Sequence, residues 1–181
     1  MRLTRIGAQV FTMLWLLTVC SVHAITLSVQ QELVSARLSG EGSYRWLGFK
    51  IYDAYLWRES VTNNKNAVMD SKFVLELIYA RELLGNRIAS VSIDEMRKLN
   101  IGTPAQLSAW LKLMREVFPD VREGSRLSGV YLPGQGVRFY NDGQLLREIP
   151  DVEFARAFFS IWLDEHTSSQ RLRSQLLGLA S

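Results

Sequence analysis

Residues 42–57 read GSYRWLGFKIYDAYLW, and two extended runs are written into them. Tyr44–Leu47 and Phe49–Trp57 are dense in aromatic residues, the composition of strands. Gly48 stands between them as a turn or bulge. Asp53 interrupts the second run, and a solvent-facing or paired carboxylate is the ordinary reason for one there.

Working outward toward the amino end, Leu33, Ser35 and Arg37 alternate with Val34, Ala36 and Leu38. That is the two-residue period of a strand, and Gly40-Glu41-Gly42 reads as a turn after it. Toward the carboxyl end a mainly polar loop, Ser60–Lys72, precedes Phe73–Tyr79 (FVLELIY). Phe73, Leu75, Leu77 and Tyr79 share one face, and Val74 and Ile78 lie on the other with Glu76. A strand apolar on both faces belongs inside the sheet.

The middle of the chain changes to a helical period. Ile88, Val91, Met96 and Leu99 predict one helix face. Thr103-Pro104-Ala105-Gln106 is a capping box with proline in the first turn. It opens a helix whose apolar stripe is Leu107, Trp110, Leu111, Met114 and Phe118, ended by Pro119. Strands return at Leu127–Leu132, Val137–Tyr140 and Gln144–Ile149, the last two joined by the hairpin signal Asn141-Asp142-Gly143. Asp151 caps an apolar helix running to about Leu163. Thr167-Ser168-Ser169-Gln170 reads as a second capping box, opening a last helix that ends at Gly178. Strands, helices, strands, helices in that order predict an α+β fold with an antiparallel sheet.

The first residues carry another message. Arg2 and Arg5 precede the uncharged run Val10–Val19, and Val22-His23-Ala24 follows. This is the layout of a cleavable secretory signal over residues 1–24, with a single domain over 25–181. A membrane anchor and lipidation at Cys20 are the alternatives; Val19 is a poor neighbour for a lipid-attachment cysteine. Of 181 residues, 157 remain after cleavage, enough for one core. Arg2 and Arg5 leave with the signal, so nineteen basic residues face 18 acidic ones. No basic cluster points to nucleic acid. Cys20 is the only cysteine and leaves too, so no disulfide is expected. His166 is then the lone histidine and has no neighbours at metal-ligand spacing. No metal, nucleotide or hydrolase motif is present, and no cofactor is implied.

Two segments resemble the chalcone isomerase-like family. One is Gly42–Trp57, with Arg45 and a Gly48-Phe-Lys50-Ile-Tyr52 strand. The other is Ile149–Leu163, whose Ala157-Phe158-Phe159-Ser-Ile161-Trp162-Leu163 is similar to the family's carboxyl-terminal helix. The order of elements between them agrees. The resemblance implies an open-faced β-sandwich: a large antiparallel sheet with helices packed on one face and a ligand cleft between them. The family holds plant enzymes that close chalcones, non-catalytic fatty-acid binders, and exported bacterial members.

On this resemblance Arg45 falls on the pocket arginine, whose planar fork of donors suits an oxyanion. Tyr52 falls where the enzymes carry threonine and the fatty-acid binders carry tyrosine. The segment Arg81–Asn100 lacks the tyrosine that the enzymes present there. The implied role is therefore an exported, periplasmic module binding a fatty acid or other amphipathic acid through Arg45 and Tyr52. No membrane span is expected to remain after cleavage. Two readings stand beside it: an intramolecular lyase of the chalcone isomerase type, and an envelope protein with a protein partner.

Overall fold

The computed structural model describes residues 26–59 and 65–179. The expected signal, with Cys20, lies outside the described residues, as do residues 60–64 of the polar loop. The chain runs α1 (Leu27–Glu32), β1 (Arg37–Trp46), β2 (Phe49–Arg58), a short 3-10 turn (Lys65–Asp70), β3 (Phe73–Tyr79), α2 (Gly85–Lys98), α3 (Pro104–Val117), β4 (Arg126–Leu132), β5 (Gly136–Asn141), β6 (Gln144–Ile149), α4 (Val152–Leu163) and α5 (Gln170–Leu176). The six strands form one sheet in sequence order, every neighbour antiparallel. This is the α+β, open-faced architecture that the pattern and the resemblance predict.

The alternation in β3 sorts the whole sheet into two faces. Phe73, Leu75, Leu77 and Tyr79 join the main core, beneath α4 and its Phe154, Phe158 and Phe159. Val74 belongs to a second, smaller core with Tyr55, Trp57, Val130 and Tyr140. α1 closes that second core by laying Val29 and Leu33 on the outer face of the sheet. The predicted strand over Leu33–Leu38 is thus corrected. Helix α1 occupies Leu27–Glu32, and pairing begins only at Arg37. Alternation over six residues was too short to distinguish a lead-in from a strand.

Gly40-Glu41-Gly42 is not a turn but lies within β1, opposite Leu56, Tyr55 and Ala54. Helix α5 explains the glycines. A Cβ on Gly40 would stand 2.0 Å from the carbonyl oxygen of Gln175, and one on Gly42 would stand 2.8 Å from Cδ1 of Leu172. The missing side chains let α5 lie directly on the edge strand.

The helix ends mostly follow the sequence. Thr103 and Gln106 make both bonds of a capping box, with Pro104 in the first turn. Asp151 accepts from Phe154 N at 2.9 Å. The second predicted box is different: Ser169 is the N-cap and makes no side-chain cap bond. Thr167 instead donates to the carbonyl of Ile161, and Gln170 folds back onto the carbonyls of Glu165 and Thr167. Those side chains tie α4 to α5 rather than opening α5.

Helix α2 buries Gly85, Ala89, Ser92, Ile93 and Met96, a face rotated from the predicted stripe, and Val91 is exposed. It packs mainly on α3 and α4, not on the sheet. The space between α2 and β1–β3 is the feature that matters for function. Among the described residues no helix is long and apolar enough to cross a membrane.

Candidate functional site

That space is a cleft of about 1270 Å³ between the β1–β3 end of the sheet and helices α2, α4 and α5. Its walls include Leu77, Ile88, Phe118, Leu127, Phe158 and Ile161. Apolar walls with a few placed polar groups are the general make-up of small-molecule sites.

The polar groups come from one row of the sheet. Tyr44, Tyr52 and Tyr79 are successive cross-strand partners in β1, β2 and β3. All three line the cleft. The rings of Tyr44 and Tyr52 stack at 5.2 Å, and Tyr79 meets Tyr52 edge-on at 5.9 Å. Trp162, from α4, donates its indole N–H to the Tyr52 hydroxyl at 3.0 Å. That bond uses an acceptor site on the oxygen and leaves the tyrosine proton unspent. The hydroxyls of Tyr44 and Tyr79 have no hydrogen-bond partner among the described residues. The cleft floor therefore offers three phenolic donors side by side.

Burial decides their charge. It pushes Tyr52 and Tyr79 far above the ordinary phenol range. Tyr44 is raised as well, by burial first and then by the nearby Glu95. All three are fixed as neutral donors at any physiological pH. They are poor candidates for a general base, which needs a pKa near the working pH.

Tyr52 is thus on the cleft floor. Arg45 is elsewhere: it lines the mouth, is exposed, and its Nη1 donates to the carbonyl of Gly48 at 3.3 Å. It pairs with Lys50, one rung nearer the hairpin tip than the Tyr44–Tyr52 pair. Asp53 is a paired carboxylate, held by Lys50 at 2.8 Å and Ser43 at 2.6 Å. Burial works against its charge, but these bonds outweigh it and hold its pKa below the usual value. His166 is a surface residue beside Asp164. Among the described residues no group of three or more His, Cys, Asp or Glu side chains is placed to hold a metal.

The sequence pattern does not mark Tyr44, Tyr79 and Trp162 as site residues. A register shift hides the first. Counting inward from the Trp46–Phe49 pair would set Tyr44 opposite Ile51, but β2 has an irregularity there, and Tyr52 becomes the partner instead.

A family model described as chalcone isomerase-like matches residues 21–178. The chain belongs to the chalcone isomerase-like family. It is 30% identical over 139 residues to an uncharacterized protein of Haemophilus influenzae. That match covers 77% of this chain and 66%, just under two thirds, of the relative's length. Among solved structures the chain resembles the Arabidopsis thaliana fatty-acid binding protein AtFAP1. The TM-score is 0.62 at 16% identity, covering 79% of this chain and 87% of that one. At that identity the likeness is one of fold.

Proposed function

We propose that this chalcone isomerase-like protein is a non-catalytic binding module for an amphipathic acid, a fatty acid being the simplest case. The observation that carries the reading is the row of neutral tyrosine hydroxyls on the floor of a large apolar cleft. An acyl chain fits the apolar walls, and an oxygen-bearing head group fits the unspent donors. Tyr52 would bind the head group from below. Arg45, one rung away at the lip, would add a charge-assisted bond to a carboxylate. The resemblance to a fatty-acid binding fold supports the same ligand class. Export to the periplasm, argued from residues 1–24, belongs to this proposal too.

The test is mass spectrometry of the small molecules that co-purify with the protein, for wild type, Tyr52→Phe and Arg45→Ala. A stoichiometric acyl acid in the wild type, reduced in both variants, is the expected result. Wild-type protein that takes up no acyl acid, even when one is supplied in excess, would overturn the reading. So would variants that retain the acid as well as wild type does.

A further inference from the structure

The sheet has two tight hairpin turns of the same backbone shape. In the β5–β6 turn Asp142 has φ 48° and Gly143 φ 84°. In the β1–β2 turn Leu47 has φ 48° and Gly48 φ 84°. Both residues of such a turn lie at positive φ, which suits Asp-Gly or Asn-Gly. Asp142 fits, and its carboxylate also accepts from Arg126 N at 2.9 Å. Leu47 does not fit. A branched apolar residue is strained in the left-handed region, and this one is 76% exposed. Neither local conformation nor packing accounts for leucine at that apex.

Its neighbours follow the same pattern. Trp46 and Phe49, cross-strand partners behind the apex, are 59% and 63% exposed. Leu84 and Val91, near and on the first turns of α2, are exposed as well. Arg81 connects the two groups by placing its guanidinium 5.6 Å from the Phe49 ring centre. One rung behind the apolar tip come Arg45 and Lys50. Arg45, Arg81 and Arg87 have no ion-pair partner among the described residues. The segments 45–53 and 81–87 hold four cations against two acids, Asp53 and Glu82. Asp53 is already engaged by Lys50 and Ser43.

We infer that the β1–β2 hairpin tip and the start of α2 dock on the surface of an anionic phospholipid bilayer. Trp46, Leu47 and Phe49 enter the headgroup–acyl boundary, and Arg45, Arg81 and Arg87 form a cationic collar at the phosphates. The dimensions agree. Two residues of strand separate Leu47 from Arg45, roughly 7 Å, and shallow interfacial insertion is about 5–10 Å deep. Aromatic side chains in the boundary and basic ones at the phosphates are the usual division of labour there. A protein partner would cover the apolar residues but gives no reason for unpaired cations around them. The docked face is continuous with the cleft, since Arg45, Trp46, Arg87 and Val91 all line its mouth. Docking would therefore open the cleft onto the bilayer. That use of the contact rests on the proposed function, whereas the contact itself does not.

Hydrogen–deuterium exchange tests this on the protein as cells process it, with phosphatidylglycerol-containing vesicles, with neutral phosphatidylcholine vesicles, and without vesicles. The turn at 141–144 serves as internal control. Anionic vesicles should slow exchange in peptides spanning 44–50 by at least about fivefold, neutral vesicles much less, and the 141–144 turn not at all. Leu47→Asp copies the residue of the sister turn, keeps its backbone preference and should abolish the protection. Phe49→Ser is a second variant with the same expectation. Neither side chain lines the cleft, so acyl-acid uptake from solution should survive in both. Loss of uptake with protection intact would count against the binding reading alone. Unprotected 44–50 on anionic vesicles would overturn the docking. So would protection that grows with protein concentration in the absence of vesicles, which would mean self-association.

Discussion

On the outer face of the sheet Lys72, Arg138 and Tyr140 all donate to one carboxylate, Glu32; on the helix face the hydroxyl protons of the cleft tyrosines Tyr44, Tyr52 and Tyr79 meet no acceptor among the described residues. The two sets lie on opposite faces of one sheet, the tyrosine row on β1–β3 and the cluster's strand residues on β5. The outer cluster fixes α1 to the sheet, with a second tie from Thr26 and Arg126 to Glu76. Its partners come from α1, the loop before β3, and β5, so it closes a long stretch of chain. The inner row makes one such tie, from Trp162 of α4 to the Tyr52 hydroxyl. On the outer face the buried carboxylates Glu32 and Glu76 are both met internally, which matters because an unmet buried group costs stability. The tyrosine row leaves donors available, as the proposed ligand would require.

The largest effect should come from breaking the closed face. Glu32→Ala leaves two cations and a tyrosine without their shared acceptor. Because Lys72 and Arg138 are about 30% exposed, the loss should be roughly 2–4 kcal/mol rather than the full value of a dry ion pair. Denaturant unfolding would measure it, and the exchange of residues 26–36 would show α1 opening first. A cost under 0.5 kcal/mol would mean that the network is not what holds α1.

Acid should reach the same contact without a mutation. Burial alone would raise the Glu32 pKa, but the bonds from Lys72, Tyr140 and Arg138 more than offset it and hold it below normal. A depressed folded value contributes stability above the unfolded pKa and loses it as pH falls through the folded one. Stability should therefore fall below about pH 4.5, and the fall should be shallower in Glu32→Gln. Tyr140, pushed up to about 12 by burial and then by Glu32, should remain a donor across the neutral range.

The open face should respond in the opposite sense. Tyr52→Phe loses only the Trp162 bond within the protein and leaves that indole N–H unmet, about 1–2 kcal/mol of stability. The same change should weaken acyl-acid binding about five- to twentyfold in a fluorescence displacement titration. Equal losses in both faces, stability without affinity or affinity without specificity for Tyr52, would erase the distinction.

The smallest effect concerns the tip between the faces. Leu47→Asn should raise stability by about 0.5–1 kcal/mol, because asparagine tolerates the left-handed conformation that leucine resists. Thermal unfolding would read this as a small upward shift. A lower midpoint would mean that Leu47 makes a stabilising contact after all.

Local chemistry made much of this legible in advance. The capping residues Thr103 and Asp151, the Asp142-Gly143 turn and the two-sided burial of β3 all follow from contacts within a few residues. Legibility failed where distant segments meet. Gly40 and Gly42 read as a turn because nothing near them in sequence announces α5, some 130 residues away. Tyr52 stands out in the sequence only through resemblance, and nothing along the chain marks Tyr44, Tyr79 or Trp162 for the site. Arg45 was picked out on the same grounds, but only the hairpin geometry sets it at the mouth and not on the floor.

The sequence by itself determined most element types and limits, the α+β order and the family, but not α1 or the course of β1. Periodicity, caps and turn residues act over one or two turns of chain, so they can be read along it. Tertiary structure alone decided the row of tyrosines, the closed network around Glu32 and the apolar tip beside the cleft. Each depends on strand register or on which face a helix covers. A one-residue irregularity at Ile51 is enough to change which side chain stands opposite Tyr44.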